Sequence, residues 1–311
     1  MCADRRALSL PPSVQLDTSG ALPRLAVASP ILGAAEIYLH GAHLTHWQPS
    51  GQAPVIWLSG KSAFDPARAI RGGVPICFPW FGPHASDREA PMHGFARIQP
   101  WLLSSAGESP EAITLTFTLA GTDASRASVW PHAFEATYQV TIGATLSLSL
   151  RIRNRGRTAF SFEEALHSYF VVGDVRAIAI AGLEGGDYLD KTSAFARKAQ
   201  GGDAVRVTGE TDRIYLDTTA TCVIDDPGMR RRITIAKTGS HTTVVWNPWV
   251  ARAQAIPDFG DDEWPGMVCV ETCNVGDAAV HLEPGDVHVM TATIQVSVSY
   301  THLTLPTKRI V

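Results

Sequence analysis

Apolar residues recur at every second position through much of the chain. Three clear stretches are ITLTFTL at 113–119, LSLSLRIR at 146–153 and MTATIQV at 290–296. Because successive side chains of a strand point to opposite faces, this period predicts strands with one buried and one wet face. Turn-forming residues separate such stretches, as in NRG at 154–156 and PGD at 284–286. Many short strands with few helices predict an all-β antiparallel sandwich, not a doubly wound α/β sheet.

Composition allows one large domain. The 311 residues are 45% hydrophobic, which is enough apolar material for a sizeable core. No linker divides the chain, and large all-β folds run to about 250 residues as one unit. We therefore expect a single β-sandwich domain over residues 1–297. Residues 298–311 start no recognisable element and look like a translated adapter or read-through extension, so we expect a non-native or disordered tail.

Charge and targeting signals exclude several partners. The formal net charge is -4 and no basic block occurs, so a nucleic-acid surface is not expected. A small anionic ligand is compatible with this charge, since two or three arginines suffice for it. The first 14 residues lack the apolar run of a signal peptide, and no later stretch is suited to span a bilayer. Five scattered cysteines indicate a reduced, cytoplasmic protein.

The possible metal ligands are poorly spaced. Cys269 and Cys273 are four positions apart, without a second pair at zinc-finger spacing. On a strand, His40 and His46 share one face while His43 points to the other, so the three do not converge on one ion. We expect no metal. No glycine-rich phosphate loop follows a strand, which argues against a nucleotide.

Four stretches place titratable residues inside apolar or turn-rich segments: 70–83, 92–97, 163–170 and 267–274. In the first, two glycines follow Arg71, and glycine allows the backbone to approach a ligand closely. The acidic run DFGDDE at 258–263 lacks calcium-loop spacing and indicates a solvated loop beside a site.

Glu271 and His167 each allow two interpretations. Glu271 lies among Val and Cys residues in an apparent strand, either facing solvent or held in a cleft as a general base. His167 lies between Leu166 and Tyr169, which suits either a structural histidine or a catalyst. Each residue taken alone does not decide between them.

The motifs in order resemble the aldose 1-epimerase superfamily, and within it the hexose-6-phosphate 1-epimerase branch. The resemblance covers roughly residues 10–296 and implies the galactose mutarotase-like β-supersandwich. Seven motifs in order are far more specific than one. They are GAHLTHW at 41–47, IRGGVP at 70–75, HGFAR at 93–97, ALHSYF at 165–170, TDRIY at 211–215, VWNP at 245–248 and CVE at 269–271.

The resemblance also implies roles for individual residues. The family's catalytic histidine and glutamate match His167 and Glu271. Its ligand-binding arginines match Arg71 and Arg97, and an aspartate matches Asp212. His93 corresponds to a second histidine near the sugar. Where the family often has Gln before HGFAR this chain has Met92, which bears on sugar specificity.

Anomer interconversion needs a base for the C1 hydroxyl and an acid for the ring oxygen, and it needs no cofactor. Glu271 suits the base and His167 the acid, which requires an ionised Glu271 and a protonated His167. Arg71 and Arg97 suit a 6-phosphate, because the guanidinium fork matches phosphate geometry. The expected partner is a small-molecule sugar phosphate. We expect the enzyme to be a monomer.

Two alternatives remain at this point. A mutarotase for unphosphorylated aldoses has no need of the Arg71 and Arg97 pair. A non-catalytic carbohydrate-binding or sugar-sensing protein on the same fold has no need of both His167 and Glu271.

Overall fold

A computed structural model describes residues 9–121 and 129–298, and within these ranges the chain is almost entirely antiparallel β-sheet. The prediction of an all-β antiparallel sandwich is confirmed. The helical elements in the same ranges are an α-helix, α1 (Trp249–Ala255), and short 3-10 turns at Ala96–Ile98, Lys191–Ser193, Trp264–Gly266 and Gly276–Ala278. None of the helices in this part of the chain is long and apolar enough to cross a membrane.

The first of two large sheets, here called the framework sheet, consists of long strands. Its strands are β6 (Leu102–Glu108), β7 (Ala112–Ala120), β8 (Phe134–Gly143), β9 (Leu146–Asn154), β13 (Ala179–Ala181), β17 (Cys222–Asp226), β18 (Arg231–Thr238) and β22 (Val287–Val298). They lie in the order β13-β17-β18-β22-β9-β8-β7-β6. Buried and partly exposed residues alternate along all nine residues of β9, because one face meets the core and the other meets water.

The three stretches predicted as strands fall within β7, β9 and β22. Val298, which the sequence assigns to the tail, is the last residue of β22 and pairs with Arg231. The rest of that predicted tail lies outside the described residues.

The second large sheet, here called the site sheet, has shorter strands. They are β5 (Ile76–Cys77), β11 (Glu164–Leu166), β12 (Tyr169–Val171), β14 (Asp187–Asp190), β15 (Ala196–Ala199), β16 (Thr211–Tyr215), β19 (Thr242–Asn247) and β20 (Met267–Asn274). The order is β15-β14-β16-β19-β20-β11-β5, with β12 also paired to β20. All eight residues of β20 are buried, so both of its faces are covered.

Two smaller sheets complete the described part of the fold. One is formed by β1 (Val14–Asp17), β2 (Arg24–Ser29), β3 (Gly33–Tyr38) and β4 (His43–Gln48), and the other by β10 (Phe160–Phe162) and β21 (Val280–Leu282). One hydrophobic cluster takes side chains from both large sheets, including Leu148 of the framework sheet and Phe170 of the site sheet. This shared core fixes the site sheet against a rigid support.

Candidate active site

A cavity of about 420 Å³ lies on one face of the site sheet. Its wall includes cross-strand neighbours: Asp212 of β16 pairs with Trp246 of β19, and Val244 of β19 pairs with Glu271 of β20. The volume is in the range of small-molecule sites. The six site residues predicted from the sequence all line it, namely Arg71, His93, Arg97, His167, Asp212 and Glu271.

Strand pairing brings His167 and Glu271 together. The strands β11 and β12 both pair with β20, with Leu166 opposite Thr272 and Tyr169 opposite Cys269. His167 occupies the short link between β11 and β12, so it lies beside the centre of β20. Its Nδ1 is 3.4 Å from Oε1 of Glu271. Glu271 is only 1% exposed, which excludes the solvent-facing interpretation of this residue.

Burial decides the protonation of this pair. Within residues 9–121 and 129–298, neither carboxylate oxygen of Glu271 nor Nδ1 of His167 has a hydrogen-bond partner. Burial raises the pKa of Glu271 well above its ordinary value; Asp212 adds to this and Lys191 opposes it. Burial, reinforced by the charges of Arg97 and Arg71, lowers the pKa of His167 well below its ordinary value.

The favoured form of the pair is therefore a protonated Glu271 beside a neutral His167. The sequence-based expectation was the opposite placement, an ionised Glu271 and a protonated His167. Both forms hold one proton in total, so their ratio does not depend on pH while the pair holds a single proton.

Aromatic rings fix the imidazole plane. The ring of Tyr169 stacks on His167 with centroids 4.8 Å apart and planes 9° apart. Trp57 in turn stacks on Tyr169 at 5.7 Å. The hydroxyl of Tyr169 accepts a hydrogen bond of 3.4 Å from Nη1 of Arg71, which ties the stack to a cation of the cavity.

Arg71 is held from behind by the acidic run. Its Nε donates to Oδ1 of Asp258 at 3.0 Å. Burial opposes its charge, but Tyr169 and Asp258 raise the pKa of Arg71 overall, so the guanidinium stays charged. The interpretation of residues 258–263 as a solvated loop is wrong for Asp258, whose side chain is 15% exposed and ion-paired.

The two glycines after Arg71 are required by the fold itself. Gly72 and Gly73 have φ of 100° and 69°, which suits glycine. A Cβ at Gly72 would lie 2.7 Å from the Leu58 backbone, and one at Gly73 would collide with the ring of His43. The close approach predicted here is therefore to the chain's own strands.

His93 and Arg97 also line the cavity, and the ring of His93 lies 5.7 Å from that of His167 between centroids. The backbone N–H of Gly82 donates to Nδ1 of His93 at 3.1 Å. Burial lowers the pKa of His93, so the ring is neutral and carries its proton on Nε2, available as a donor. Nη2 of Arg97 donates to the backbone carbonyl of Met92 at 2.7 Å. That contact does not depend on the side chain at position 92.

Asp212 lies in an ion pair that the sequence did not reveal. Nζ of Lys191 is 2.8 Å from Oδ2 of Asp212 and lies 5.6 Å from the ring centroid of Phe81. Burial raises the pKa of Asp212, and Lys191 opposes that shift. Lys191 and Arg252 also line the cavity but were missed. Lys191 stands in a 3-10 turn after β14, where no pattern marks it.

Two of the histidines considered as metal ligands lie beside backbone carbonyls instead. His40 and His43 each place Nε2 at 2.8 Å from a backbone carbonyl, of Arg68 and Gly72 respectively. Inside the cavity wall, the ligand atoms of His167, Cys269 and Glu271 lie within 4.8 Å of one another.

The antiparallel β-sandwich places the chain in the galactose mutarotase-like fold class. The sequence model of the aldose 1-epimerase family matches residues 24–295. The chain therefore belongs to the aldose 1-epimerase family.

Individual relatives agree with this membership. A protein of Escherichia coli named "putative glucose-6-phosphate 1-epimerase" is 37% identical over 238 residues, which are 76% of this chain and 79% of that protein. One of the same name from Cenchrus ciliaris is 36% identical over 260 residues, 81% and 78% of the two chains. The crystal structure of a "putative mutarotase" from Salmonella typhimurium superposes with a TM-score of 0.87 at 34% identity, covering 94% of this chain and 96% of the other.

Proposed function

We propose that this protein interconverts the α and β anomers of a hexose 6-phosphate, with glucose 6-phosphate as the substrate. The observation that carries the proposal is the contact between Nδ1 of His167 and Oε1 of Glu271, 3.4 Å apart in a cavity lined by Arg71 and Arg97. The names of the relatives from Escherichia coli and Cenchrus ciliaris support the phosphorylated substrate.

The pair supplies both proton transfers of ring opening. In its charged form, Glu271 accepts the proton of the C1 hydroxyl while His167 donates one to the ring oxygen. Because burial raises the pKa of Glu271 and lowers that of His167, the first is a strong base and the second a strong acid in this form.

The open-chain aldehyde then stands beside a neutral pair, which is the form that burial favours. Rotation about C1–C2 exposes the other face of the aldehyde. The same two groups run in reverse to close the second anomer, so no proton is lost from the site and no oxidation state changes.

The cations of the cavity suit a phosphate. Arg71 is fixed by Asp258 and Tyr169, so little side-chain freedom is lost when it binds an anion. Nε of Arg97 is buried and has no hydrogen-bond partner among the described residues. Charge-assisted hydrogen bonds to phosphate satisfy such groups well. His93, as a neutral donor, is suited to a sugar hydroxyl.

The other two candidate functions are weaker. A mutarotase for unphosphorylated sugars has no anionic group to place beside the cavity-lining cations of Arg71 and Arg97. A sugar sensor needs no proton-transfer pair, and an unpartnered buried carboxylate such as Glu271 is costly for a protein that only binds.

Location and assembly follow from the same proposal. The charge of a sugar phosphate keeps it from crossing a bilayer, so such substrates stay inside the cell. Free cysteines are typical of a reducing compartment, and Cys77, Cys222, Cys269 and Cys273 are all unpaired. We therefore place the enzyme in the cytoplasm. The six predicted site residues come together within a single chain, and we propose that the enzyme acts as a monomer.

Anomeric exchange measured by NMR tests the proposal. Exchange on glucose 6-phosphate is compared with exchange on glucose and galactose at equal concentrations of sugar and protein. We expect acceleration confined to the phosphorylated sugar. Equal acceleration of glucose would assign the protein to unphosphorylated aldoses, and saturable binding without exchange would assign it to the sensors.

A further inference from the structure

Cys269 is a buried thiol that the proposed reaction does not use. It lies on β20 two positions before Glu271, opposite Tyr169 on β12 and Trp246 on β19. Since side chains two apart on a strand share a face, Cys269 and Glu271 point to the same side. The thiol is fully buried behind the cavity wall.

Three different ligand atoms converge at this point. A ring nitrogen of His167, Sγ of Cys269 and a carboxylate oxygen of Glu271 all lie within 4.8 Å of one another. We propose that these residues form a site for a thiophilic divalent cation such as Zn²⁺ or Cd²⁺, and that the bound ion inhibits the enzyme. The site uses the residues of the proposed function, but the binding itself does not require that function.

Distances support a tetrahedral ion. Tetrahedral zinc with bonds of about 2.0–2.2 Å to nitrogen and oxygen separates those two ligands by roughly 3.3–3.5 Å. Nδ1 of His167 and Oε1 of Glu271 are already 3.4 Å apart. With a Zn–S bond of about 2.3 Å, the sulfur of a tetrahedral site lies roughly 3.6 Å from the other two ligands, and the three ligand atoms already lie within 4.8 Å of one another. The cavity leaves the fourth position to water.

The hydrogen bonding of the pair is a second and independent observation. Nδ1 of His167 and both oxygens of Glu271 are buried without hydrogen-bond partners within residues 9–121 and 129–298. Their lone pairs are therefore available to an ion. A nitrogen, oxygen and sulfur set favours zinc or cadmium over magnesium or calcium, which prefer oxygen ligands alone.

Nearby cations explain why the ion would be an inhibitor and not a resident cofactor. Arg97, Arg71 and Lys191 act electrostatically on His167 and so oppose any further positive charge. Binding also displaces the thiol proton of Cys269 and the single proton of the His–Glu pair to solvent, while no oxidation state changes. With the pair coordinated, neither group can transfer a proton, so turnover stops until the ion leaves.

The experiment titrates the full chain with Cd²⁺ and Zn²⁺. In every protein, Cys2, which lies outside the described residues, is replaced by Ser to remove a competing thiol. Cd²⁺ binding is measured by its ultraviolet thiolate-to-metal charge-transfer band. Zn²⁺ inhibition is measured by anomeric exchange on glucose 6-phosphate, relative to the metal-free rate of the same variant. We expect Zn²⁺ inhibition that EDTA reverses.

Matched cysteine variants locate the ion. Cys269→Ala and Cys269→Ser should each lose the Cd²⁺ band and weaken Zn²⁺ inhibition at least about tenfold, since a soft thiolate ligand is removed. Cys222→Ala, which removes an equally buried thiol of the framework sheet, should retain both signals. The band and the inhibition persisting in both Cys269 variants would overturn the proposal, as would an absence of wild-type inhibition at about 1 mM Zn²⁺. The Cd²⁺ band remains a test even if the protein proves inactive on sugar phosphates, so failure of one proposal is distinguishable from failure of the other.

Discussion

A strand of the framework sheet, β9, and a strand of the site sheet, β20, differ in how many faces they bury. Along β9 of the framework sheet, buried and half-exposed residues alternate without interruption. Along β20 of the site sheet, every residue is buried, and five of the eight are polar or cysteine: Cys269, Glu271, Thr272, Cys273 and Asn274. A wet face satisfies polar groups with water, whereas a doubly covered strand does not.

The difference shows where reactivity arises in this fold. Glu271 lacks hydrogen-bond partners in the described part of the chain, and its burial raises its pKa. Glu164 is equally buried on the neighbouring β11, but its Oε1 accepts a hydrogen bond from Asn274 at 2.9 Å and pairs with His288 at 2.8 Å, which leaves Oε2 without a partner among the described residues. One buried carboxylate is therefore structural and the other is available for chemistry.

The largest effect is expected from His167. The substitution His167→Ala removes the acid of the proposed pair and should lower anomeric exchange on glucose 6-phosphate by roughly 10²–10⁴-fold. His241→Ala, an exposed histidine outside the cavity, serves as the control and should keep its rate. If folded His167→Ala retained more than about a tenth of the rate, its role as general acid would be refuted.

A substitution in the framework sheet should affect stability and not chemistry. Leu148 is fully buried on β9, and Leu148→Ala should lower the free energy of unfolding by about 2–5 kcal/mol through lost burial and a cavity. Ser147→Ala, on the wetter face of the same strand, should change it by less than about 0.5 kcal/mol. Denaturant titration measures both. Equal losses at the two positions would show that the faces of the framework sheet are not distinct.

Substitution of Arg71 or Arg97 distinguishes an arginine that binds phosphate from one that only stabilises the fold. Arg71→Ala should lower kcat/KM for glucose 6-phosphate roughly 10- to 150-fold, which corresponds to about 1.5–3 kcal/mol for one charge-assisted contact, and should barely change any residual rate on glucose. Arg97→Ala should behave in the same way. Arg176→Ala, an exposed arginine paired with Asp174, is the control. Equal losses on both sugars would mean that Arg71 stabilises its loop instead of binding phosphate.

The smallest effect concerns the contact between the two sheets. Burial opposes the charge of His288, but its hydrogen bond with Glu164 raises the pKa of His288 overall. Its contribution is therefore complete below the unfolded histidine pKa of about 6.5 and is lost as the pH rises through the folded value. As the pH rises from about 6 to 9, the wild type should lose more stability than His288→Gln, which keeps a donor but does not titrate. Parallel stability curves would contradict this.

Much of the framework sheet follows from alternation, because one wet face imposes a period of two on the sequence. The strands β7, β9 and β22 contain the three predicted stretches. In β20 of the site sheet that period disappears, since both faces of this strand are buried. There the ordered motifs, and not periodicity, pointed to Glu271 and His167.

The remaining features of the site depend on contacts that no local pattern encodes. Arg71 and its partner Asp258 are 187 positions apart in the chain. Lys191 reaches Asp212 from a short turn with no distinguishing neighbours. The placement of the proton on the pair depends on burial, which the sequence shows only after the strands are assembled.

The central claim is that an unpartnered buried carboxylate, and not burial of a carboxylate as such, carries the chemistry. The direct measurement is anomeric exchange on glucose 6-phosphate by Glu271→Gln and Glu164→Gln, with the free energy of unfolding determined for both. We predict that Glu271→Gln loses roughly 10²–10⁴-fold in rate without loss of stability, whereas Glu164→Gln keeps its rate within about tenfold and is less stable. A folded Glu271→Gln variant that exchanged anomers at more than about a tenth of the wild-type rate would contradict the account.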